Sequence, residues 1–145
     1  MKRFIFILLI LIAMTNNTDA QTAVSKPCSA PECSQFDFWV GEWSLTYNDT
    51  VHAENRITIE MGGCLIHEHF HDPTNSYTGE SWSVYNAQRK IWQQTWVDNQ
   101  GGYIVLTGIF KDNKMVLYTE PATQTNGTLQ QNRMVFYNIT TGSFD

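Results

Sequence analysis

The sequence predicts an all-β fold, an antiparallel up-and-down barrel of about 8–10 strands. Strand-length segments rich in Val, Ile, Thr, Tyr, Phe and Trp alternate with turn residues through most of the chain. No stretch carries the 3.6-residue apolar repeat of an amphipathic helix. Gly62-Gly63 sits between two such segments and marks a two-residue turn that needs positive φ. At 145 residues there is room for one domain.

The first element is an export signal, residues 1–20. Lys2-Arg3 supply the positive end, Phe4–Met14 the apolar run, and Thr18-Asp19-Ala20 a small-residue cleavage site before Gln21. The apolar run is too short to cross a bilayer as a helix, so the exported chain, periplasmic or secreted, is expected to leave the membrane once the signal is cut. Losing Lys2, Arg3 and Asp19 takes the formal charge from −5 to −6. An acidic surface without basic clusters argues against nucleic acid and anionic membrane as partners. A small molecule is the expected partner, and the oligomeric state is left open.

Residues 21–35 lack periodicity and read as an extended leader. The domain proper, 36–145, opens on Phe36-Asp37-Phe38-Trp39-Val40-Gly41-Glu42-Trp43. Residues 36–40 form at most a short turn of helix, which Asp37 is expected to cap. Gly41 lets a backbone or ring approach beside Trp43. Strands follow near 40–48, 53–61, 64–72, 77–86, 90–98, 102–110, 114–120 and 132–139, with 121–131 a polar loop. The chain stops at Ser143-Phe144-Asp145, just after a Thr-Thr-Gly turn, as though another strand were starting. A closed barrel pairs its first and last strands, so the last strand or strands are expected to be missing; a shorter barrel closed by the leader is the alternative.

Three cysteines leave one odd thiol if one bridge forms, and Cys28–Cys33, Cys28–Cys64 and Cys33–Cys64 are all open to it. The Gly62-Gly63 turn pairs Glu60 with Leu65 and, further down, Ile57 with Glu68, Arg56 with His69 and Asn55 with Phe70. Ile57, Ile59, Met61, Cys64, Ile66 and Phe70 then share the interior face with Glu68, while His67, His69 and His71 face outward with Arg56 and Glu60. His67 and His71 would lie about 13 Å apart at strand rise, too far to share one ion, and Arg56 opposite His69 opposes a cation. The expectation is no metal and no cofactor. All four histidines, His52 included, fall outward or near a turn, which ranks haem or metal binding last.

Glu68 is the anomaly, since a carboxylate on an apolar face must be paired, hydrogen-bonded or protonated. It reads equally as a structural acid and as a ligand contact. In the next hairpin, with Asn86–Arg89 as its loop, Ser81, Ser83, Tyr85, Trp92, Gln94, Trp96 and Asp98 share a face taken as interior. Rings interleaved with amide, hydroxyl and carboxyl groups suit an apolar pocket with a few oriented polar contacts; a barrel filled by its own side chains is the alternative. The candidate ligand set is therefore Glu68, Ser83, Tyr85, Trp92, Gln94, Trp96 and Asp98. A rival reading makes Glu68 and Asp98 the general acid and base of a hydrolase or isomerase.

The Gly-x-Trp of Gly41-Glu42-Trp43 resembles the first strand of lipocalin-like (calycin) barrels. The longer Phe-Asp-Phe-Trp-Val-Gly-Glu-Trp string is similar to a secreted lipocalin-like family of unassigned function, as are Gly62-Gly63-Cys64, Gln94-Thr95-Trp96-Val97-Asp98-Asn99 and Lys111–Leu117. The resemblance runs from about Cys28 to the end. It implies a Cys28–Cys64 bridge, structural roles for Gly41, Trp43, Gly62 and Gly63, and packing of Trp43 on a late-strand Arg, for which Arg133 is the available residue.

Overall fold

The structure is a computed structural model that describes residues 26–47 and 50–145; the export-signal reading of 1–20 and the first five leader residues lie outside these. Strands β1 (Gly41–Tyr47), β2 (Thr50–Glu60), β3 (Leu65–Asp72), β4 (Tyr77–Asn86), β5 (Ile91–Asp98), β6 (Tyr103–Lys111) and β7 (Lys114–Thr119) follow one another in a single antiparallel sheet. The segment expected to be a loop carries a small hairpin of β8 (Ala122–Thr123) and β9 (Leu129–Gln130), after which β10 (Arg133–Phe136) returns to pair with β7. The eight-stranded sheet is curled into a half-barrel, with β1 and β10 at its two edges.

The β2–β3 register matches the expected one, Glu60 facing Leu65, Ile57 facing Glu68 and Asn55 facing Phe70. The turn itself is longer. Met61, Gly62 and Gly63 all take positive φ, and the Gly63 and Cys64 amides both donate to the Glu60 carbonyl. Widening the turn by two residues leaves side-chain parity unchanged. Ile59 and Met61 share the interior parity but are exposed, because they lie at the hairpin tip past the core. In the next hairpin Tyr85 faces Trp92 and Asn86 faces Ile91, so the turn is one residue later than expected and the pairing two residues out of step. A two-residue slip again preserves the faces, and Ser81, Ser83, Trp92 and Gln94 are all buried.

The stretch before β1 sets where the core lies. Asp37–Trp39 form one 3-10 turn; Phe36, not Asp37, occupies its cap position, and no side chain caps it. The turn folds back over the concave face as an aromatic plug. Phe36 is fully buried, stacked on Trp39 at 5.1 Å and edge-on to Trp92 and Phe136 at 5.3 Å each. Such offset and edge-on pairs add to the gain from burial. Ile57, Ile66, Met115 and Leu117 complete the floor beneath it.

A Cys28–Cys64 disulfide ties the leader to the β2–β3 turn, and Cys33 is free. Trp43 departs from the expected Arg contact. Its Nε1 donates to the Trp39 carbonyl at 2.8 Å and its ring meets Phe144 edge-on at 4.8 Å, whereas Arg133 is exposed. The final residues fold back, Asp145 exchanging two backbone hydrogen bonds with Tyr137, which aims Phe144 between Trp43 and Phe136.

Candidate functional site: a cavity on the concave face

The plug fills only the end of the half-barrel near Trp92. Beyond it the concave face holds a cavity of about 660 Å³. Trp43, Phe70, Tyr77, Trp96, Phe136 and Phe144 form most of its wall, with Ile104, Leu106 and Met134 from the later strands. Gly79 shapes one side: a Cβ built there would lie 2.0 Å from the Trp96 ring, so the missing side chain is what lets Trp96 lie flat against β4.

Three buried polar side chains interrupt this apolar lining, Asn55, Glu68 and Gln94, while Ser44 lies at its exposed rim. Each of the three is at least nine-tenths buried, and β2, β3 and β5 each contribute one. Asn55 Nδ2 donates to Glu68 Oε1 at 2.7 Å, and Ser81 Oγ donates to Glu68 Oε2 at 2.5 Å. Gln94 Nε2 donates onward to Ser81 Oγ and to Ser83 Oγ at 3.0 Å. The chain of donors therefore runs toward Glu68. Burial nevertheless pushes its carboxyl above the usual range, the Ser81 and Asn55 hydrogen bonds only partly offsetting the loss of water.

One atom in this cluster has no partner. Asn55 Oδ1 is buried and accepts no hydrogen bond. A buried acceptor left unmade costs about 1–3 kcal/mol, and native interiors seldom leave one without a reason.

A raised carboxyl makes the folded chain hold its proton to higher pH than the unfolded chain does. Between the two values stability falls as pH rises, because the unfolded state binds fewer protons and ionises more easily. Glu68→Gln removes this dependence. Urea unfolding of the variant is expected to match wild type below about pH 4.5 and to exceed it increasingly at higher pH. A gap that is constant with pH would show that Glu68 ionises freely.

Of the seven candidate ligand residues, Glu68, Gln94 and Trp96 line the cavity. Ser83 is fully buried behind it, bonded to Gln94. Trp92 and Tyr85 lie at the plugged end, where the Trp92 Nε1 donates to Gln35 Oε1. Asp98 is absorbed by its own hairpin: Oδ1 accepts the Gln100 and Gly102 amides, and Oδ2 accepts Tyr77 OH and Trp96 Nε1. The Gly102 amide and the Trp96 indole hold its carboxyl below the usual range. Asp98 thus orients two wall residues without lining the cavity, whereas Glu68 lines it.

Among the lining residues outside the expected ligand set are Asn55, Phe70, Tyr77 and the closing rings Phe136 and Phe144. Asn55 and Phe70 were within reach, since they face one another across β2 and β3, two residues from the Ile57–Glu68 pair. Phe136 and Phe144 carried no signal, because their position depends on how the chain end folds back. No family model and no curated protein matches the chain.

Proposed function

We propose that the chain is an exported ligand-binding protein of lipocalin-like type. Its half-barrel takes up a small apolar molecule that carries one hydrogen-bond donor, such as a phenol or an alcohol. The observation that carries this reading is the unpartnered Asn55 Oδ1 at the polar spot of an otherwise aromatic cavity. An apolar body would occupy the space between Trp43, Phe70 and Trp96, and its donor would satisfy the orphaned acceptor beside Glu68. Export is supported by the Cys28–Cys64 bridge, a bond that persists in oxidising compartments. The Phe36–Trp43 and Gly62-Gly63-Cys64 strings support the lipocalin-like reading, and the up-and-down half-barrel is compatible with it.

Three of the five tryptophans, Trp39, Trp43 and Trp96, line the cavity, so occupancy can be read from intrinsic fluorescence. Titration with 1-naphthol is expected to give saturable quenching at one molecule per chain. 1-Methylnaphthalene, of similar shape without the donor, is expected to bind roughly 5- to 10-fold more weakly, the worth of one ordinary hydrogen bond. Linear, non-saturating quenching by both compounds would remove the binding role.

A further inference from the structure

The outer face of the same sheet carries a second cluster of chemically active side chains, independent of the cavity. We propose that Glu60, His67 and His69 bind a divalent transition-metal ion, with Zn²⁺ as the expected ion. One candidate ligand atom from each of the three lies within 4.8 Å of the others. Tetrahedral ligands at about 2.0–2.1 Å from an ion stand about 3.4 Å apart. The widest pair therefore closes by at most about 1.4 Å, which side-chain rotation at Glu60 and His69 supplies.

The strands explain the convergence. His67 and His69 alternate on β3 and so share a face. Glu60, at the end of β2, is two residues beyond Thr58, the direct neighbour of His67. On the other side, β4 places Trp82 opposite His67 and Glu80 opposite His69. The His67 ring is stacked on Trp82 at 5.3 Å with 26° between planes, and lies 3.9 Å from the His69 ring.

That stacking fixes where the two nitrogens of His67 point. Nδ1 meets Glu60 Oε1 at 3.0 Å, and Nε2 meets Glu80 Oε2 at 3.1 Å. Metal-binding histidines characteristically donate their other ring N–H to a carboxylate, which sets the tautomer and raises ligand basicity. Glu80 is placed for that role: with Nε2–H donated to Glu80, Nδ1 has its lone pair free on the side of Glu60. The expected obstacle, Arg56 opposite His69, is itself flanked by Glu42 on β1. Two imidazoles and one carboxylate suit Zn²⁺, Co²⁺, Ni²⁺ or Cu²⁺ rather than the oxygen-seeking Ca²⁺ and Mg²⁺. A bis-histidine pair also escapes the objection from strand rise, since His71 is not needed.

The test is calorimetric titration of the untagged, disulfide-bonded chain with Zn²⁺, repeated with Co²⁺ to read its visible ligand-field bands. One ion per chain is expected. Glu80→Gln should weaken binding roughly 10- to 100-fold, His67→Ala should abolish the bands, and His71→Ala should leave both readouts unchanged. A readout on the unaltered chain stands beside the variants. Bound Zn²⁺ should protect His67 and His69, but not His71, from diethylpyrocarbonate as mapped by peptide mass. No saturable binding, binding that survives His67→Ala, or equal reactivity of the three histidines with and without Zn²⁺ would overturn the site. The first outcome would leave His67 as a ring held by hydrogen bonds between Glu60 and Glu80.

Discussion

Trp92→Ala is expected to cost about 3–5 kcal/mol of folding stability and to leave 1-naphthol binding intact. Trp92 is 2% exposed, lies edge-on beneath Phe36, and packs beside Tyr85 at 5.8 Å. Removing the indole opens a void under the plug that the rigid sheet cannot close. It also leaves Gln35 Oε1 without the donor it now has. A folded domain has only about 5–15 kcal/mol in hand, so the variant should sit near the edge of stability at room temperature. Urea unfolding measures the loss, and a fluorescence titration below the transition measures the binding. Loss of naphthol binding with little loss of stability would move Trp92 from the core into the ligand site.

A similar loss is expected from the double variant Cys28→Ser with Cys64→Ser. The bridge spans 36 residues of sequence, and closing a loop of that size restricts the unfolded chain by about 4 kcal/mol. The effect has a structural side too. The bridge fastens the leader at the end of the half-barrel that the Phe36 plug fills, so its loss frees the segment that leads into the plug. Cys33→Ser, which breaks no bond, should unfold like wild type. If the double variant lost less than about 1 kcal/mol, the leader would be held by its packing alone.

The sequence made the faces of the sheet legible but not the ends of the half-barrel. Faces follow from a period of two, and both hairpins depart from the expected turns in a way that preserves parity. Glu68, Gln94 and Trp96 were therefore assigned to the concave side from alternation alone. Depth along the strands is a different matter. Trp92 and Trp96 share a face, yet one lies under the plug and the other walls the cavity, and only the fold-back of Phe36–Trp39 separates them. Asp98 shows a further blind spot. Its residue type and face suited a ligand contact, but the turn that follows, Asn99–Gly102, presents two amides to one of its oxygens. Short-range turn geometry thus decided the role of a residue that alternation could only place. The histidines were weighed as a set of three on one strand, whereas the two carboxylates that frame His67 reach it diagonally from β2 and β4, past its direct neighbours Thr58 and Trp82.

In the proposed function Asn55 Oδ1 accepts from a donor on a ligand in the cavity. A double cycle tests it: 1-naphthol and 1-methylnaphthalene titrated against wild type and Asn55→Leu, with unfolding curves confirming that the variant retains the fold. The roughly 5- to 10-fold preference for the donor is expected to disappear in the variant while 1-methylnaphthalene binds both chains alike. A preference that persists undiminished in Asn55→Leu would contradict that role for Asn55, and would place the ligand's donor elsewhere.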